Sequence, residues 1–275
     1  MEDKKTLSDW LVASDIDGTL NNKFRKLPER NEKAIHRFVS MGGHFTLASG
    51  RNPQSMEKHF RRLPIADTPA VVINGAGLYD FKKNEMIYFS AMSDEGMSLA
   101  TEAAKKFPLV DVIVVAKDII YITGAGWFGK LFVSPDKLDH RHIKNIDDVP
   151  KENWGKVIFS GDPFSISKVK KHFEEMTDPD LTLMSSSVCS FEILARNTHK
   201  GTAVMKLAEI LGIDSSHTCA IGDYFNDFDM LKTVGVPACC GQAPKELKEV
   251  SEFVSCHCNN GAVADFLEYI ESKAN

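Results

Sequence analysis

The sequence lacks the features that would place it in a membrane, send it out of the cell or bind it to nucleic acid. No apolar run in its 275 residues reaches bilayer-spanning length. Met1-Glu2-Asp3-Lys4-Lys5 is not followed by the apolar core of a signal peptide, so the expected location is the cytoplasm. There is no basic excess: 33 Lys and Arg face 38 Asp and Glu, for a net charge of -5, which disfavours a nucleic-acid partner. The six cysteines, Cys189, Cys219, Cys239, Cys240, Cys256 and Cys258, show no paired zinc spacing. Cys256-His257-Cys258 has no second ligand pair, and without a secretion signal the thiols are expected to be reduced. Internal repeats and low-complexity segments are absent as well. What remains is a chain of ordinary globular composition, 43% hydrophobic and 26% charged, long enough for one large domain or two smaller ones.

Within that ordinary composition, polar motifs recur at the ends of apolar runs. Leu11-Val12-Ala13-Ser14 reads as a buried strand, and Asp15-Ile16-Asp17-Gly18-Thr19 follows it directly. In an open α/β sheet ligands bind outside the carboxyl ends of strands. A carboxylate there can attack phosphorus, and a second one can serve as proton donor and acceptor. Asp is also a common turn former, so Asp-x-Asp alone is weak. His44-Phe45-Thr46-Leu47 leads to Ser49-Gly50-Arg51, where a hydroxyl, a glycine and helix N–H groups can cradle phosphate. Capping by Ser49 or Asn52 is the competing reading. Lys200-Gly201 opens a stretch with Val204, Leu207, Ala208 and Leu211 at helical spacing. A lysine is unfavourable at a helix N-terminus, so Lys200 requires solvent or an anion. Thr218-Cys219-Ala220-Ile221 runs into Gly222-Asp223-Tyr224-Phe225-Asn226-Asp227, a set of oxygen ligands suited to Mg²⁺. Asp223 can also form a turn, and Asn226 or Asp227 can cap the helix through Met230.

The motifs DIDGT, SGR, KG and GDxxND, in this order, resemble those of haloacid dehalogenase superfamily phosphatases, specifically the Cof-type branch. The resemblance runs from Trp10 to the C-terminus. It implies Mg²⁺ as cofactor, a small phosphorylated molecule as partner, Asp15 as nucleophile and Asp17 as acid and base. It further implies a metal held by Asp15, the Asp17 backbone carbonyl and Asp223, and phosphoryl oxygens held by Ser49, the Gly50 backbone, Lys200 and Asn226. Asp227 would support the metal site. A phosphomutase of the phosphomannomutase type and a non-catalytic phospho-ligand sensor are the alternatives, and the oligomeric state stays open.

Motif spacing locates a second domain. Only a loop and one helix, Pro28 through Met41, fit between Thr19 and Ser49, so the insertion falls after Ala70-Val71-Val72-Ile73 and Asn74-Gly75-Ala76-Gly77. That glycine loop lacks the third glycine of a dinucleotide fingerprint. The insertion reads as α+β, with a hairpin joining 111–115 to 119–122, a strand at 155–160, a helix at 165–176 and extended structure from Leu181. Its position resembles the C2 cap of the Cof-type group. The expected architecture is a doubly wound parallel sheet formed by residues 1–81 and 189–275, with an α+β cap at 82–188. Tyr121, Trp127, Phe128, His140, Arg141, His142 and Trp154 are candidates for selecting the leaving group and equally for core or surface positions, since aromatic residues near a cleft most often simply pack.

Overall fold

The computed structural model describes residues 7–123, 139–177 and 179–274. The chain forms two compact units, one running to Ile87 and resuming at His199, the other spanning Tyr88–Thr198.

In the first unit the chain starts at the centre of the sheet. Strand β1 (Leu11–Ser14) is buried on both faces, as its unbroken apolar run requires. Helix α1 (Glu29–Ser40) follows Pro28 at its N-cap, carries Glu29 and Glu32 in its first turn, and buries Ala34, Ile35 and Phe38. Strand β2 (His44–Leu47), helix α2 (Pro53–Arg62) and strand β3 (Ala70–Val72) come next. Then β3 pairs with β4 (Gly77–Asp80), which leads to β5 (Glu85–Phe89).

The second unit is α+β. Helix α3 (Asp94–Lys106) precedes the antiparallel hairpin of β6 (Asp111–Ala116) and β7 (Ile120–Thr123), with β8 (His140–His142) parallel to β7. Strand β9 (Trp154–Ser160) and helix α4 (Pro163–Glu174) follow, and the Asp162 carboxylate caps α4 by accepting from the N–H groups of Phe164 and Ser165. Strands β10 (Leu181–Ser187) and β11 (Ser190–Ala195) complete a sheet of order β10-β11-β9-β6-β7-β8.

Back in the first unit, α5 (Lys200–Leu211) stops at Gly212, whose φ of 71° ends the helix in the left-handed region. The remaining elements are β12 (Thr218–Gly222), α6 (Phe228–Thr233), β13 (Val236–Cys239), α7 (Lys245–Val250), β14 (Phe253–Val254) and α8 (Ala262–Lys273). The sheet has the order β14-β13-β12-β1-β2, and its pairings are parallel. The parallel bridge Ala48↔Val71 attaches β3 beyond β2. From β1 the chain winds outward through β2, and from β12 it winds the opposite way through β13. Right-handed crossovers therefore put helices on both faces: α1 packs with α8, and α5 with α6. The direction reverses between β1 and β12, the topological switch point where α/β sheets bind ligands.

Two expectations are corrected. The second domain junction lies later than residue 189, because β11 pairs antiparallel with β9, setting Phe191 opposite Phe159 and Ile193 opposite Val157. The first lies later than residue 82, since β5 joins the sheet of β3 and β4. Short apolar alternations such as Phe191, Ile193 and Ala195 do not state which sheet they complete.

The residues named for the leaving group fall in different places. Tyr121 and Trp154 pack inside the second unit's own core with Phe159, Phe173 and Phe191. His140, Arg141 and His142 are exposed along β8. Trp127 and Phe128 lie outside the described residues. The Trp154 indole is fully buried and donates to the Pro150 carbonyl at 2.6 Å. Trp154→Ala should therefore destabilise the protein by about 3–5 kcal/mol, read as a lowered urea midpoint. An unchanged midpoint would mean the indole is not part of the core.

Candidate active site

The site begins where β1 ends. Asp15 N–H donates to the Ile221 carbonyl at 3.0 Å, extending the β1–β12 ladder by one step and fixing Asp15 at the strand terminus. The chain then turns tightly: Leu20 N–H donates to Asp15 O at 3.1 Å and Asn21 N–H to Ile16 O at 2.8 Å. Gly18 has φ of 85°, and a Cβ on it would lie 2.4 Å from Asp223 Oδ2. Only glycine both adopts that backbone and lets the loop lie against Asp223. Thr19 Oγ1 donates to Asp223 Oδ1 at 3.1 Å, so the loop after β1 and the end of β12 are bonded across the switch point.

Lys200 occupies the first position of α5 and is completely buried. Its Nζ lies 2.6 Å from Asp15 Oδ1 and 2.6 Å from Asp227 Oδ1. The anions needed to offset a lysine at a helix N-terminus are thus supplied by two other segments of chain. Asp227 Oδ2 accepts from the Asp223 N–H at 3.0 Å and the Tyr224 N–H at 3.4 Å. Both Asp227 oxygens are therefore committed to protein donors. It also caps the turn Phe225–Asp227, where Asn226 sits half-buried.

Asp15, Asp223 and Asp227 each present an oxygen within 4.8 Å of the others. One ammonium does not offset this much buried negative charge. Burial pushes the Asp15 carboxyl up to about 8 against the pull of Lys200, with Asp227 and Asp223 adding to the rise. Asp223 is pushed up to about 6, again mainly by burial and by Asp227. Lys200 is held well above its ordinary value: burial opposes its charge, and the attraction of Asp15 and Asp227 outweighs burial. An all-oxygen donor set short of positive charge fits a hard divalent cation such as Mg²⁺, which Asp15 and Asp223 could hold.

Asp17 stands apart from this cluster. Its side chain is 48% exposed and forms a bidentate pair with Arg51, from Nε to Oδ2 at 2.9 Å and from Nη2 to Oδ1 at 2.8 Å. Sequence reasoning quoted Arg51 within its motif but gave it no role. Ser49 is buried, and its Oγ accepts from the Arg51 N–H at 3.3 Å. Gly50 packs so closely on Asn74 that a Cβ would lie 2.6 Å from Asn74 Oδ1.

The glycine loop at 74–77 is a brace. Ile73 N–H donates to Arg51 O and Asn74 N–H to Ser49 O, each at 3.0 Å. Ile73 and Asn74 adopt φ of 53° and 55°, a conformation costly for a β-branched residue and kept because neighbours on both sides fix it. Gly75 lies against the start of α5, where a Cβ would fall 2.2 Å from His199 O. The same short loop thus holds the Ser49–Arg51 turn and the residue preceding Lys200. No spacing rule identifies such a brace, although the Gly-rich turn itself was visible.

A model of haloacid dehalogenase-like hydrolases matches residues 12–267. The chain belongs to that family. Relatives of the haloacid dehalogenase-like chain include the putative phosphatase YxeH of Bacillus subtilis, 28% identical over 264 residues and spanning 92% of this chain and 95% of that protein. The 5-amino-6-(5-phospho-D-ribitylamino)uracil phosphatase YwtE of Bacillus subtilis is 27% identical over 289 residues, spanning 95% of this chain and 98% of that one. The solved structure of the HAD subclass IIB sugar phosphatase BT4131 shares the fold, with a TM-score of 0.80 at 17% identity over 95% of this chain and 99% of its own. The curated relatives are named phosphatases, and this haloacid dehalogenase-like chain is accordingly a hydrolase of phosphoric monoesters. No helix among its described residues is long and apolar enough to cross a membrane.

Removing the Lys200 ammonium while keeping the chain length would leave Asp15 and Asp227 buried without their cation. Lys200→Met should therefore cost about 3–5 kcal/mol in metal-free buffer, measured by urea denaturation. A variant as stable as the parent would show that the lysine does not hold these carboxylates together.

Proposed function

We propose that this phosphatase hydrolyses a small phosphorylated metabolite, a sugar phosphate or a cofactor phosphate, through an aspartyl-phosphate on Asp15. The observation that carries the reading is the setting of Asp15: Lys200 fixes its Oδ1 at 2.6 Å, and the carboxylate clusters with Asp223 and Asp227 at the switch point, an oxygen of each within 4.8 Å of the others. The relatives that act on a ribitylaminouracil phosphate and on sugar phosphates support a small metabolite as substrate.

Asp15, the Asp17 backbone carbonyl and Asp223 would hold Mg²⁺. The bound ion would offset repulsion between the anionic nucleophile and the phosphoryl oxygens. Asp15 Oδ2 attacks phosphorus as the bond to the leaving oxygen breaks, and Asp17 delivers a proton to that oxygen. Asp17 then takes a proton from water, whose oxygen attacks the same phosphorus, releasing inorganic phosphate and restoring Asp15. Ser49, the Gly50 N–H, Lys200 and Asn226 hold the phosphoryl oxygens. An ammonium has three donors, and Lys200 spends two on Asp15 and Asp227, so one remains for substrate. Arg51 pairs with both oxygens of Asp17 and holds it as a carboxylate, so this pair must open for Asp17 to take up the proton that it delivers to the leaving oxygen and later regains from water.

Incubation with a good substrate and Mg²⁺ should release phosphate stoichiometrically, and chelation should stop it. Asp15→Asn should abolish turnover in a folded protein. Asp17→Asn should slow both formation and breakdown of the trapped aspartyl-phosphate, by about 10²–10⁴-fold. Efficient isomerisation of a hexose phosphate with negligible phosphate release would instead identify a mutase on the same fold.

A further inference from the structure

The loop that carries Asp15 and Asp17 contains a residue with unusual freedom at an inconvenient place. Gly18 is required there because any side chain would strike Asp223, yet glycine is also the residue least able to hold a backbone conformation by itself. Something outside the loop must fix it. Gln242, in the turn after β13 and 224 residues from Gly18, donates from Nε2 to the Gly18 carbonyl at 2.7 Å. Its Oε1 accepts from the Cys258 N–H at 3.0 Å, an arrangement that determines which end of the amide faces the loop.

The Gln242 turn is itself anchored on both sides. Cys240 N–H donates to Gly222 O at 3.0 Å, immediately before Asp223, and Gly241 N–H donates to Cys256 O at 3.0 Å. One exposed side chain therefore bonds both the loop after β1 and the turn before α8. Its exposure separates it from core residues: it contributes little apolar burial, so its interactions are directional ones.

We infer that Gln242 is a positioning residue for this site, pinning the Gly18 peptide against Asp223 so that the Asp17 backbone carbonyl and the Asp223 carboxylate are held ready for a divalent cation. The inference rests on the proposal that Asp15, Asp17 and Asp223 bind Mg²⁺, and goes beyond it by assigning the geometry of that set to a residue outside every motif.

Titration calorimetry of the full chain with Mg²⁺ tests it, without substrate. Gln242→Met keeps the side chain's length and removes both hydrogen bonds. It should weaken Mg²⁺ binding roughly threefold to tenfold, as expected for one or two net hydrogen bonds, while the thermal midpoint stays within about 2 °C of the parent, as for a surface substitution. Turnover at limiting Mg²⁺ should fall and be largely restored by excess Mg²⁺. Asn259→Ala is the control: Asn259 Oδ1 accepts from the Lys23 N–H in the neighbouring turn but does not reach Gly18. It should leave Mg²⁺ affinity unchanged. Equal affinity in the parent and Gln242→Met, or equal weakening in both variants, would overturn the assignment. A folded parent that binds no Mg²⁺ at all would instead defeat the metal proposal beneath it.

Discussion

The structure turns on one buried ammonium shared by two carboxylates. Lys200 brings the start of α5 to the end of β1 through Asp15 and to the turn after β12 through Asp227. Segments far apart in sequence are held at hydrogen-bond distance because none of these groups can be buried alone. The fold could have satisfied such positions more cheaply with apolar residues. Retaining a charged set here leaves a buried carboxylate with one oxygen held by Lys200, an arrangement suited to the phosphoryl transfer proposed for it.

Around that centre the backbone is held by close approach. Gly18 lies against Asp223, Gly50 against Asn74, and Gly75 against His199. Each contact excludes a Cβ, so the loops at the ends of β1, β2 and β3 interlock with the start of α5 and the end of β12. The left-handed conformations at Ile73 and Asn74 belong to this interlock. Their conformational cost is offset by the hydrogen bonds to Ser49 and Arg51 that only this backbone makes. Positioning is therefore distributed over residues that carry no reactive group.

The inserted unit has a different source of stability. Trp154, Phe159, Phe173 and Phe191 fill a core of its own, and α3 and α4 belong to the same sheet-and-helix layer arrangement. Its sheet also contains a buried ion pair, Lys156 Nζ to Glu192 Oε2 at 2.9 Å. Such a pair is weak evidence for stability, since apolar replacements of similar shape are often as stable. Trp154, Phe159, Phe173 and Phe191 serve packing.

Local pattern in the chain was sufficient for the parallel core sheet, for an insertion between Ser49 and Lys200, and for the positions of Asp15, Asp17, Ser49, Lys200, Asp223 and Asp227 at strand ends or helix starts. Local pattern is enough for these, since the carboxyl ends of parallel strands share one edge. Packing between remote segments is what turns Asp17 toward Arg51, makes the loop at 74–77 a brace for two motifs and adds β11 to the inserted sheet. It also decided that Gln242 reaches Gly18 across 224 residues of chain. These depend on which side of a turn a group faces and on how closely two backbones approach. Periodicity carries neither, because both are set by packing between segments that are remote in sequence.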